Sequence, residues 1–267
     1  MTSQNNQKIS VYYHFLKDKK INGTLFYCFE YFAFLNKFRD TYYYIHKIDE
    51  NDLEFIKSIF KLKYDFNYKL LDRIIAINSI SEIYKSQGDK NLCLDILSFN
   101  SVHPFIQNDF YVFENGNSGG PNFRPSKSKI KNIKYYGSYD YQQYEEYCIL
   151  KLNFDIFKNF EEPKNNDCFI SMGMTKNSKD KNTKKPNTFI NIFEKYKKFK
   201  YIHNILDADN RFIPECFFYK RDLKFIDECK IIDSAVLRYN DCKNGNLKNY
   251  WLDENDKIIQ DILNDNK

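Results

Sequence analysis

The stretch Lys8-Ile-Ser-Val-Tyr-Tyr-His-Phe-Leu16, followed by Asn22-Gly23-Thr24 and the aromatic segment Leu25 to Phe38, decides how the chain folds. Its first part is a nearly unbroken run of β-branched and aromatic residues, the pattern of a buried strand. Gly23 then lets the backbone come close to a ligand, and Thr24 is placed to cap a helix. Thr41 to Ile48 repeats the strand pattern, and Asp49 to Leu62 reads as a helix with acids in its first turn, where they meet the positive end of the helix dipole. Arg73-Ile-Ile-Ala-Ile-Asn78 is a third strand that leads into a short helix through Tyr84. Strands alternating with helices in this order predict a mostly parallel sheet covered by helices.

Further along, strand patterns fall near Leu92 to Phe99, Phe110 to Phe113, Ile133 to Tyr136 and Cys148 to Phe154. The turn-forming residues of Glu114-Asn-Gly-Asn-Ser-Gly-Gly-Pro121 make a loop between two of them, without the glycine and lysine spacing of a phosphate cradle. Glu161-Glu-Pro-Lys-Asn-Asn-Asp167 is polar and contains a proline, so the expected junction divides residues 1–163 from 164–267. The second unit is expected to begin with the strand Cys168 to Gly173. A basic loop from Met174 to Pro186 and an amphipathic helix from Asn187 to Phe199 follow it. Next come a strand from Tyr201 to Leu206, the segment Asp207-Ala-Asp-Asn-Arg-Phe-Ile-Pro-Glu215 with its helix, the β-like Leu223 to Ile226, and a final helix from Asp256 to Leu263.

Composition narrows the function classes. The 25 Phe and 22 Tyr match the codon bias of an AT-rich genome, so aromatic richness alone does not indicate a base-stacking surface. The net charge of +5 arises in residues 164–200, which hold ten Lys against three acids. Seven cysteines stand singly, without a C-x-x-C pair, which predicts reduced thiols in a cytoplasmic protein. His14, His46, His103 and His203 are scattered without metal-ligand spacing, so no metal site is expected. No apolar run of about twenty residues exists, so no transmembrane segment is expected either.

In the Asp207–Glu215 segment, Arg211 offers a planar fork for phosphate oxygens and the carboxylates can accept ribose hydroxyls. Together with the two α/β units, this segment resembles the B-type nucleotide-sugar glycosyltransferases, most strongly over residues 168–263. The resemblance implies an α/β protein with two Rossmann-like domains facing across a cleft. It also implies a metal-independent transferase that needs no cofactor beyond its co-substrate, a nucleoside-diphosphate sugar. Retaining members of that family follow the first strand of the second domain with a Gly-Arg pair and a lysine, and carry two glutamates with seven residues between them. Here Gly173 precedes Met174, Lys184 and Lys185 stand near the lysine's place, and Asp207 and Glu215 have the carboxylate spacing. The implied donor-binding set is Gly23, Thr24, Gly173, Lys184, Lys185, Arg211 and Glu215. Asp207 would face the donor sugar, while His14 and His103, near strand ends, are the candidate catalytic groups beside the acceptor hydroxyl. The acceptor class stays open between a glycan and a modified nucleic-acid base.

Each of these residues also has a plainer reading. Arg211 with Asp207 or Asp209 could form a local ion pair, Glu215 could serve the helix dipole, and the histidines could be structural. Two other functions compete with transfer. One is a nucleic-acid-binding protein with lysine loops at 127–134 and 176–200 and stacking tyrosines in Tyr135-Tyr-Gly-Ser-Tyr-Asp-Tyr141. The other is a catalytically silent glycosyltransferase-like interaction module.

Overall fold

Two parallel sheets organise the protein, a computed structural model that describes residues 7–16, 21–114, 132–137, 146–163, 168–172, 192–203, 210–227 and 234–264. The first sheet holds β1 (Lys8–His14), β2 (Asp40–His46), β3 (Ile74–Ile77), β4 (Lys90–Cys93), β5 (Asp109–Glu114), β6 (Ile133–Gly137) and β7 (Glu146–Tyr147), in the order 3-2-1-4-5-6-7. Every pairing in it is parallel. The chain winds outward from β1 to β3, then returns to the other side of β1 and winds the opposite way. The strand order therefore reverses between β1 and β4, which is the Rossmann-like arrangement.

The alternating pattern of the first 86 residues corresponds to α1 (Gly23–Leu35), α2 (Glu50–Lys63) and α3 (Ile80–Ser86) between these strands. Their starts are chemically fixed. Asn22, rather than Thr24, caps α1 by accepting from Leu25 N at 2.9 Å. Asp49 caps α2, and Ser79 with Glu82 forms a full capping box on α3. All residues of α1 from Leu25 to Leu35 are buried, so this helix lies inside the molecule and carries the main apolar cluster on every side. A second cluster under α3 and α4 (Ile96–Val102) covers the opposite sheet face with Tyr12, Tyr44, Ile83, Phe99 and Phe110.

The second sheet is β10 (Asp222–Asp227), β9 (Lys198–His203) and β8 (Cys168–Met172), again all parallel. With it come α5 (Ile192–Lys195), α6 (Phe212–Phe218) and α7 (Ser234–Lys243).

Several expectations change. Leu92 to Phe99 divides into β4 and the start of α4, because Asp95 accepts from Ser98 N at 2.7 Å and turns the chain into a helix. Cys148 to Phe154 is not a strand, since Leu152 makes only an isolated bridge with Trp251 and a 3-10 turn follows from Phe154 to Ile156. Lys198 and Phe199, expected at the end of a helix, open β9.

The chain also returns across the expected junction. Leu152 N donates to Tyr250 O and Leu252 N to Leu152 O, both at 2.8 Å, and α8 (Lys257–Leu263) then docks beside the first sheet. Tyr136 OH donates to Asp261 Oδ2 at 2.7 Å, Tyr111 OH to Asp261 O at 3.1 Å, and Lys90 Nζ to Asn264 O at 2.7 Å. The last helix thus packs with the first unit in space while following the second in sequence.

Candidate functional site

In open parallel sheets, ligands bind outside the carboxyl ends of the strands where the order reverses. Here that place is the end of β1, the start of α1 at Gly23, and the end of β4. At the end of β1, parallel register sets His14 directly beside His46 of β2. Their Nδ1 atoms are 3.3 Å apart, Ser101 Oγ of α4 is 2.8 Å from His14 Nδ1, and Ser98 Oγ accepts from His14 N at 2.8 Å. Ser101 gives its own proton to Leu97 O at 2.9 Å. With that proton on Leu97 O, the Ser101 oxygen can accept from His14 Nδ1, the tautomer that places the ring lone pair on Nε2. Burial lowers both imidazole pKa values. For His46 the neighbouring His14 and Lys47 add to it, bringing the pKa to about 4, so this pair is neutral at pH 7.

The start of α1 meets the second unit. Arg211, at the start of α6, donates from Nη1 to Gly23 O at 3.3 Å, across 188 residues of sequence. The rest of its fork is committed within the protein. Nη2 pairs with Glu30 Oε1 of α1 at 2.5 Å, and Nε pairs with Glu215 Oε1 at 2.7 Å. Lys63, at the end of α2, reaches Glu215 Oε2 at 3.1 Å, and Tyr64 OH donates to Glu30. The guanidinium also lies over Phe26 and Tyr27, at 5.0 and 4.8 Å from the ring centres. Two carboxylates and two cations form a closed network between α1, α2 and α6, with side-chain exposures of 0% for Glu30, 12% for Arg211 and 5% for both Lys63 and Glu215.

Burial raises the Glu30 carboxyl pKa above its usual range, and Arg211 and Tyr64 offset only part of that. At Glu215 burial acts the same way, but Lys63 and Arg211 together overcome it and hold the carboxyl below its ordinary value. Arg211 and Glu215, expected as donor ligands, therefore fasten α6 against α1 and α2. Isolated donor ligands would instead carry unspent hydrogen-bonding atoms toward a cleft.

Among the remaining expected site residues, Gly23 and Thr24 form the first turn of α1. His103 does not join His14. Its Nδ1 contacts Phe99 O at 3.2 Å and its ring stacks on Phe99 at 4.6 Å, the contacts of a histidine finishing its own helix. Asp207, Gly173, Lys184 and Lys185 lie outside the described residues. Of the competing nucleic-acid reading, Tyr136 in the stacking segment is fully buried, and Lys134 in the 127–134 lysine loop pairs with Asp261 at 2.8 Å.

Sequence reading missed Glu30, His46, Lys63 and Ser101. A lone Glu inside the run Leu25 to Leu35 was a legible sign of a buried partner, and the strand endings Tyr-Tyr-His14 and Tyr-Ile-His46 were a legible sign of a histidine pair. Among the described residues no group of three or more His, Cys, Asp or Glu could hold a metal ion, and no helix is long and apolar enough to cross a membrane. Comparison with protein-family models, with curated proteins and with solved structures gives no match.

Proposed function

We propose that the protein transfers a sugar from a nucleoside-diphosphate donor to an acceptor hydroxyl, with the donor diphosphate at the start of α1. The observation that carries this reading is the meeting of Gly23 with Arg211. It brings the helix that leaves β1 at the reversal of the first sheet against the helix that follows β9 of the second. The start of a long buried helix favours an anionic ligand through its dipole, and Gly23 offers no side chain to keep phosphate away. Glycosyl transfer needs such a place, because negative charge grows on the leaving diphosphate as the glycosidic bond breaks.

His14 supplies the complementary chemistry. In this reading its Nε2 takes the acceptor hydroxyl proton while the acceptor oxygen bonds to the anomeric carbon. The electron pair of the breaking C–O bond leaves on the diphosphate. Arg211 and Glu215 act as positioning residues that hold the two helix starts together.

A thermal-shift titration with uridine, guanosine, adenosine and cytidine diphosphates tests the proposal. One of them is expected to stabilise the protein by about 2.7 kcal/mol at a hundred times its dissociation constant. Gly23→Ala separates binding from folding, since the added Cβ would stand 3.5 Å from Arg211 Cδ, an ordinary contact. The variant should fold like the parent and lose the nucleotide shift. A parent that none of the four nucleotides stabilises would refute the reading.

A further inference from the structure

Beside the histidine pair, the carboxyl edge of the first sheet opens into a cavity of about 340 Å³ lined by Phe15, Lys47, Ile48, Asp49, Asp52 and Asn78. It is an open depression rather than an enclosed pocket, with Lys47, Asp49 and Asn78 exposed on its rim. It adjoins His14 and His46 through the backbone itself: Phe15 follows His14 and donates to His46 O at 2.9 Å, while Lys47 follows His46 and donates to Ile77 O at 3.1 Å.

The polar atoms around the cavity are only partly spent. Asp49 Oδ1 accepts from Asp52 N at 2.8 Å, which leaves Oδ2 without a partner among the described residues. Asn78 donates from Nδ2 to Ile48 O at 2.9 Å and from its backbone to Glu82, which leaves Oδ1 in the same condition. The Lys47 ammonium has no partner among the described residues either. Its backbone sits at φ 61°, a left-handed conformation that a lysine adopts at a cost. The floor is apolar, with Phe15 and Ile48 buried.

This array offers acceptors at Asp49 and Asn78, a donor at Lys47 and an apolar base. An anion would satisfy Lys47 and then face two carboxylates, whereas a cation would meet the Lys47 charge. A hydroxylated ring donates and accepts through the same groups and lays its C–H face on Phe15 and Ile48. The geometry points to an uncharged saccharide as the ligand of this cavity. As the acceptor of the transfer reaction it rests on the reading proposed above, with a hydroxyl delivered to the edge where His14 stands. That choice favours a glycan acceptor over a nucleic-acid base carried on a phosphate backbone.

The test is ligand-observed saturation-transfer NMR with methyl β-glucoside, methyl β-galactoside, methyl 2-acetamido-2-deoxy-β-glucoside and inorganic pyrophosphate. Parent protein is compared with Lys47→Gly and Asn78→Ala. At least one glycoside should bind with a dissociation constant on the order of 1 mM, and each variant should bind it about five-fold more weakly while keeping the parent's melting temperature within a few degrees. Absence of glycoside binding, unchanged affinity in either variant, or pyrophosphate outcompeting every glycoside would overturn the inference. Nucleoside diphosphate shifts measured on the same samples keep the two claims apart. Intact shifts with no glycoside binding remove the saccharide site alone, while glycoside binding without any nucleotide shift removes the transfer reaction and leaves the site.

Discussion

Replacing Arg211 with Met removes the centre of the buried ion network while keeping much of its apolar stem. The change deletes ion pairs to Glu30 and Glu215 and the bond to Gly23 O. Glu215 keeps Lys63, but Glu30 keeps only neutral donors, Tyr64 and Asn153 N at 3.3 Å. Breaking a buried pair in this way costs about 3–5 kcal/mol. For a chain of this size that lowers the melting temperature by roughly 6–20 °C.

The loss should depend on pH in a defined direction. Burial already raises the Glu30 carboxyl, and without Arg211 its folded pKa rises further above the unfolded value of about 4.3. Folding of the variant is then least penalised below that unfolded value and loses stability as pH rises through the folded one. Urea unfolding followed by circular dichroism at pH 4.5 and pH 7.5 reads this out. The difference between variant and parent should be larger at pH 7.5, and adding Glu30→Gln should recover part of it. A variant within about 1 kcal/mol of the parent at both pH values would refute the buried network.

Three further outcomes follow from other residues. Asp256 is buried with a pKa raised to about 6 by that burial, so its folding penalty is absent below about 3.8 and fully present above pH 6. Asp256→Asn keeps a capping residue and should be roughly 1–3 kcal/mol more stable than the parent at pH 7.5 but not at pH 4, by urea unfolding. Burial, with His14 and Lys47 adding to it, holds the His46 pKa at about 4. The parent should therefore lose stability as pH falls from about 6.5 through 4, and His46→Asn should flatten that window in a melting-temperature series. Lys47→Gly releases the strained φ of 61° and should melt no lower than the parent in a calorimetric scan, because that relief offsets the extra freedom glycine gives the unfolded chain.

The first unit was legible because its signals were local. Apolar strand runs, the Asp49 cap and the acids opening α2 each lie within one turn of the element they define. The order 3-2-1-4-5-6-7 was not legible, since strand neighbours are chosen by packing of α1 to α4 rather than by any one segment. Near Asp95 the β-branched and aromatic residues outweighed a cap whose partner, Ser98, is three residues away. The site was partly legible for the same reason. Gly23, His14 and Arg211 could be singled out by residue type, but the partner that commits Arg211, Glu30, lies 181 residues earlier in the chain. The return of α8 to the first sheet depends on Tyr111, Tyr136 and Lys90, which no pattern within residues 256–263 reveals.

Backbone hydrogen exchange with and without the nucleoside diphosphate that shifts the melting temperature tests the donor site most directly. Bound nucleotide should slow exchange at residues 22–26, the first turn of α1, in the parent and not in Gly23→Ala. Equal protection in the two proteins, or protection confined to the amino-terminal edge of the first sheet, would contradict the placement of the diphosphate at that helix.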